Sequence, residues 1–210
     1  TFTICTDTII RHVGDIGRMI DEFSSFARMP TPVLKPENLV EIVHRAVFLQ
    51  RTAHPEIAFE PVFPASPVAV SCDARLVGQA LINIVQNAIE SIEARRAEDS
   101  ASPAGHIRVS VAEEDGQAAV IVEDNGNGLP QHGREQLTEP YVTTRTKGTG
   151  LGLAIVKKIM EDHHGELVLE DGEREGARVS LHFAASEIRA ARRLDAADEP
   201  MELSPISHGA

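Results

Sequence analysis

Residues 147–159, KGTGLGLAIVKKI, decide how the rest of the chain is read. Gly148, Gly150 and Gly152 alternate and run straight into an apolar helical pattern. Backbone N–H groups at a helix start, with no side chains over them, form an anion site. The G-x-G-x-G spacing follows a loop, whereas the dinucleotide fingerprint opens directly after a strand. A P-loop would need Gly-Lys-Ser/Thr after four spacer residues, and this stretch has none. A plain helix start with spare glycines is the alternative, so the remainder of the chain has to decide.

The composition narrows the field. With 42% hydrophobic and 25% charged residues over 210 positions, the chain reads as globular, and one Tyr and no Trp imply an aliphatic core. The 20 basic and 32 acidic residues give a net charge of −12, which argues against nucleic acid or an anionic membrane as main partner. A phosphate ligand would therefore need local cations, with a divalent metal in support. Cys5 and Cys72 fit no metal or redox spacing and point to a reducing, cytoplasmic setting. No apolar run approaches the roughly 20 residues of a membrane-spanning helix, and no signal peptide opens the chain. The sequence starts mid-pattern without Met and reads as part of a longer protein.

Three segments are expected: residues 1–30, 33–184 and 185–210. In the first, Ile9, Val13, Ile16, Ile20, Phe23 and Ala27 recur at spacings of four and three, the stripe of a coiled coil or helical bundle. Pro30 and Pro32 end that helix. The stripe needs a partner helix, either upstream or from a second copy of the chain. After Pro36, ENLVEIVHRAVFLQ reads as a second helix, followed by short strands in EIAFEPVF and PVAVSC. DARLVGQALINIVQNAIESIEARR is a long helix with Asp73 as N-cap. HIRVSVAEE and AAVIVED form a hairpin turned at Asp115-Gly116. Residues 125–149 show no periodicity, and glycine clusters bracket them as they would a mobile lid. A helix over 151–163 and strands ELVLED and ARVSLHF close the domain, and the tail reads as flexible.

Two further stretches are odd for pure scaffolding. Asn83 and Asn87 lie four apart on the long helix, with Cβ atoms roughly 6 Å apart on one face. Such a pair either bonds buried backbone or points into a cavity. VEDNGNGL puts Asp124, Gly126 and Gly128 at a strand end, either as a plain turn or as a carboxylate at a pocket floor.

In this order, the set resembles the catalytic domain of sensor histidine kinases, of the ATP-binding superfamily shared with gyrase, Hsp90 and MutL. NIVQNAIES resembles the N box, DNGNGL the first glycine box and GTGLGLAIV the second. EPYVTTR resembles the F box, with Tyr141 in place of the usual Phe and with Thr143 and Thr144 beside it. DTIIRHVGDIGRMIDEFSSFARMP is similar to the second bundle helix of the NtrY-like, nitrogen-regulation branch. The likeness covers about residues 1–184. It implies an α/β two-layer sandwich, with a mixed sheet of about five strands covered by helices on one face and one long bundle helix in front. It further implies ATP and Mg²⁺ as ligands, with Asn87 holding the metal and Asn83 close by. Asp124 would take the adenine amino group, with Gly126 and Gly128 making room for the base. Thr149, Leu151 and the backbone of Gly148, Gly150 and Gly152 would meet the phosphates, and Arg145 and Lys147 would supply cations. Partners implied are a response regulator and a second copy through the bundle, with the intact protein anchored in the inner membrane and this portion cytoplasmic.

Two departures stand out. Glu90 and Ser91 occupy positions where many members carry a basic residue, and Gly176-Ala177 replaces a Gly-Thr that helps bind adenine. His12 lacks the His-Glu-x-x-x-Pro context of a phosphate acceptor, so the acceptor is expected outside this chain. Adjacent His163 and His164 diverge by roughly 100° on a helix and make a poor chelate. Two other classes compete: a superfamily ATP clamp or nucleotide sensor, and a dimerising interaction module. A clamp normally carries a Glu base just before the metal Asn, where this chain has Val85 and Gln86.

Overall fold

Alternation over residues 105–111 and again over Gln117–Asp124 builds the centre of the sheet, because a strand with one dry face must alternate. The computed structural model describes residues 29–99, 101–114, 116–143, 149–173 and 175–184, with helical positions 6, 13, 14, 16, 17, 20 and 24 ahead of them. In chain order the elements are β1 (Lys35–Asn38), α1 (Leu39–Ala53), β2 (Ile57–Val62), β3 (Ala69–Cys72) and α2 (Ala74–Glu98). They continue with β4 (Gly105–Glu114), β5 (Gln117–Asp124), a 3₁₀ turn (Arg134–Thr138), α3 (Gly152–Asp162), β6 (Glu166–Asp171) and β7 (Ala177–Phe183).

The main sheet has five strands in the order β2-β4-β5-β7-β6. β2 runs parallel to β4, and every other neighbour is antiparallel, so the sheet is mixed as expected. The parallel pair needs a long crossover, which β3 and α2 supply. Ile107, Val109 and Val111 of β4, Val120 and Val122 of β5, and Val179, Leu181 and Phe183 of β7 point into the core. There they meet Leu81, Ile84, Val85 and Ile89 of α2 and Ile155, Val156 and Ile159 of α3. The opposite face carries a row of alternating charge across all five strands: Glu60, Arg108, Glu123, Arg178 and Glu170, each registered on the next. Arg178 reaches Glu123 at 3.0 Å and Glu170 at 3.6 Å, and Arg108 lies 3.9 Å from Glu60.

One expectation needs correction. The helix after Pro36 starts at Leu39 rather than Glu37, and residues 35–38 form an edge strand paired with β3, Lys35 opposite Cys72. Pro36 cannot donate to a ladder but is tolerated at a sheet edge. Asn38 then caps α1, its side chain accepting from the Val40 N–H at 3.1 Å. PVAVSC accordingly joins this small second sheet and not the main one.

Asp73 caps α2 as read from the sequence, its Oδ1 accepting from the N–H groups of Arg75 and Leu76. Its own N–H donates to Nε2 of His163 at 2.9 Å, while Nδ1 of that ring lies 2.7 Å from the Ile159 carbonyl. A carbonyl can only accept and an N–H can only donate, so the fully buried ring is neutral with its proton on Nδ1. His163 thus ties the end of α3 to the start of α2, while the neighbouring His164 is exposed.

Candidate functional site

The two helices meet where the unusual asparagines sit. Asn83 Nδ2 donates to the Gly152 carbonyl at 3.4 Å. A Cβ placed on Gly152 would lie 4.0 Å from both amide atoms of Asn87. Both amides of α2 therefore converge on the first turn of α3, where helical N–H groups and the helix dipole favour an anion. Leu151, fully buried, anchors that turn, and its N–H donates to Thr149 Oγ1 at 3.3 Å.

The stretch before α3 is pinned from the other side. The Tyr141 N–H donates to the Gly150 carbonyl at 3.0 Å. Gly150 has φ +72, and a Cβ there would come within 2.6 Å of the Tyr141 backbone carbonyl carbon. Tyr141 is itself left-handed at φ 69 and 60% exposed, and Thr143 is exposed too. Thr144, Arg145, Lys147 and Gly148 lie outside the described residues.

Asp124 ends β5 and is buried, its Oδ1 accepting from the Gly126 N–H at 2.7 Å. The glycines around it have close neighbours. A Cβ on Gly126 would collide with the Ser91 side chain and lie 2.7 Å from the Ser91 carbonyl carbon. On Gly128, at φ +74, it would sit 3.2 Å from the Gly176 carbonyl oxygen. On Gly176, at φ +92, it would strike the Asp124 carbonyl and lie 2.9 Å from Asn125 Cα. Protein atoms thus fill the space that each missing side chain would need.

Sequence reasoning passed over the residues that hold this turn. Ser91 Oγ accepts from the Asn127 N–H at 3.0 Å, and Asn127 Nδ2 lies 3.4 Å from Glu98 Oε2. The guanidinium of Arg95 donates to the carbonyls of Asn125 and Pro103. Asn83, Asn87, Ser91 and Arg95 recur every four residues, so one row of α2 serves both the α3 junction and the Asp124 turn. That periodicity was visible in the sequence. The Gly126 turn closes directly onto Ser91.

Residues 72–187 match the family described as histidine kinase-, DNA gyrase B- and HSP90-like ATPases. Over 186 residues the chain is 54% identical to nitrogen regulation protein NtrY of Azorhizobium caulinodans, covering 88% of this chain and 24% of that protein. The chain thus spans about a quarter of that relative's length. The catalytic domain of histidine kinase ThkA superposes with a TM-score of 0.63 at 29% identity, covering 73% of this chain and 97% of that one. ThkA in complex with the response regulator TrrA gives a TM-score of 0.68 at 24% identity, covering 86% of this chain and 51% of that one. The chain belongs to the histidine kinase-, DNA gyrase B- and HSP90-like ATPase family, and over most of its length it is similar to NtrY and the NtrY-like sensor histidine kinases.

Proposed function

We propose that this domain holds Mg²⁺–ATP between α2, α3 and the Asp124 turn, and that the intact protein passes the γ-phosphoryl group to a histidine on a preceding bundle helix, for relay to a response regulator. The observation that carries this reading is the convergence of Asn83 and Asn87 on the glycine-opened start of α3. Phosphoryl transfer asks little covalent chemistry of a protein and much positioning and charge stabilisation, and these elements supply both. Asp124 accepts from the exocyclic amine of adenine, whereas guanine presents a carbonyl oxygen there and is repelled. Asn87 offers a neutral oxygen beside the phosphate-binding turn, a donor type that suits Mg²⁺. When bound, the metal neutralises phosphate charge that a domain of net charge −12 cannot offset by itself. Arg145 and Lys147 supply the remaining positive charge, and Thr143, Thr144, Thr149 and the 148–152 backbone close around the phosphates.

Hydrolysis in the manner of a clamp has less support. Gln86, where the clamp's base would stand, bonds Glu90 at 3.2 Å through its amide. Self-association through the N-terminal stripe follows from its exposure: Val13, Ile16 and Ile20 are each more than half accessible, an arrangement that needs a partner helix. The partner regulator is inferred from the ThkA–TrrA pair, and the acidic surface speaks against nucleic acid or membrane as a partner of this domain. Among the described residues no helix is long and apolar enough to cross a membrane. We place this portion in the cytoplasm, below an inner-membrane anchor outside the chain.

Calorimetric titration of the chain with ATP and Mg²⁺ tests the site. Asn87→Ala and Asp124→Ala are each expected to weaken binding at least tenfold, an effect of about 1.4 kcal/mol or more. Wild-type chain that binds no ATP would overturn the reading. Acid-labile label from γ-labelled ATP on this chain alone would overturn the placement of the acceptor.

A further inference from the structure

The geometry points to Arg95 as the positioning residue that sets base discrimination, acting through Asn125 on the adenine-reading Asp124; the inference rests on the ATP reading above. Asp124 can select a base only if its carboxylate is held in place, and selective sites hold such groups to within about 0.5 Å. The chain leaves β5 at Asp124 and turns immediately, so the following peptide fixes where the carboxylate points. That peptide is clamped on every side.

One arm of the Arg95 guanidinium donates to the Asn125 carbonyl, and the other donates to the Pro103 carbonyl at 2.7 Å. The Nε of the same guanidinium is buried with no hydrogen-bond partner among the described residues, while the bond to Pro103 lies at the surface. Asn125 completes the clamp: its Oδ1 accepts from the His106 N–H and its Nδ2 donates to the Ala104 carbonyl, both at 2.9 Å. Its backbone N–H donates to the His106 carbonyl at 3.2 Å. Gly176 packs against the Asp124 carbonyl from the opposite side. Arg95 thus joins α2, the 103–106 loop and the turn that carries the base-reading carboxylate.

The residue type matters. A planar fork reaches two carbonyls at once, while an ammonium on a flexible stem satisfies one at a time. Charge-assisted bonds to carbonyls are also roughly twice as strong as neutral ones. Without the fork, the Asn125 carbonyl loses its anchor to α2 and the turn is held only from the 104–106 side, so Asp124 shifts with it. The contact to the adenine amine then lengthens, and the repulsion that rejects guanine weakens in step. Arg95 touches no nucleotide in this scheme, so its signature is a change in selectivity.

The experiment measures dissociation constants of the chain for ATP and for GTP, both with Mg²⁺, alongside thermal midpoints. Arg95→Met is expected to lower ATP affinity about tenfold while GTP affinity holds or rises, so the ATP-to-GTP preference falls at least about tenfold. Arg95→Lys should recover part of that preference. Asn125→Ala, which keeps Arg95 and removes only the loop bonds, should lower the preference as well and serves if Arg95→Met does not fold. A lowered midpoint with an unchanged ATP-to-GTP ratio in these variants would overturn the inference and leave Arg95 a purely stabilising role. Wild-type chain that binds neither nucleotide would overturn the ATP reading and this inference together.

Discussion

Gly126 and Gly128 lie in the turn after β5 and Gly176 packs against it from just before β7, and their smallness serves the protein's own packing. Gly176 is the sharpest case, combining φ +92 with the Asp124 carbonyl where a Cβ would stand. Gly176→Ala is expected to cost about 1–3 kcal/mol in chemical denaturation and to weaken ATP binding with it. Gly152→Ala makes the contrast, since its Cβ would meet only ordinary contacts at 4.0 Å and Ala favours a helix. It should change stability by less than about 1 kcal/mol. At this scale the sequence was informative where a period exists and silent where it does not. Asn83 and Asn87 stood out because four residues make one helical turn. Arg95 shares that row, yet its role and that of Asn125 were not legible, because their partners are backbone carbonyls and N–H groups of distant loops, which have no side-chain signature. Gly126 was recognised as special for clearance toward a base, while the structure shows Ser91 pressed against it.

Among the elements, α2 owes its start to one carboxylate. Burial pushes the Asp73 carboxyl up, but the N–H groups of Val33, Leu76 and Arg75 and the Arg75 guanidinium outweigh it and leave the group below its ordinary 3.8. A depressed folded-state value means that the stabilisation is complete above the ordinary value and is lost as pH falls through the folded one. The loss therefore falls below pH 3.8. Asp73→Asn is expected to flatten that acid limb in far-UV dichroism and to cost about 1 kcal/mol near neutrality, through the weakened cap. The same carboxylate accepts from the Val33 N–H ahead of β1, so the variant should loosen that entry as well, while the bond to His163 is kept because the Asp73 backbone N–H makes it. Element limits were legible wherever capping chemistry sits at a boundary, as at Asp73. They failed at β1, where four residues of edge strand carry no period long enough to read.

For the whole molecule, alternation disclosed which segments are strands, while the order β2-β4-β5-β7-β6 lay beyond sequence reading because it is set by pairings distant along the chain. Outside the sandwich, the exposed stripe of Val13, Ile16 and Ile20 sets the expected assembly. Light scattering should give a dimer mass for the wild type, and an Ile16→Asp, Ile20→Asp double variant should be monomeric with ATP affinity unchanged. The row Glu60-Arg108-Glu123-Arg178-Glu170 on the outer face has a consequence of another kind. Exposed pairs of this sort add little to native stability, and salt screens them. Exchange any two adjacent strands, however, and like charges come abreast, which is unfavourable across a ladder. The row works as a five-letter password for strand order: it is nearly silent when entered correctly and penalises a wrong sequence of letters, and strong salt should leave the collapsing chain unable to tell the difference.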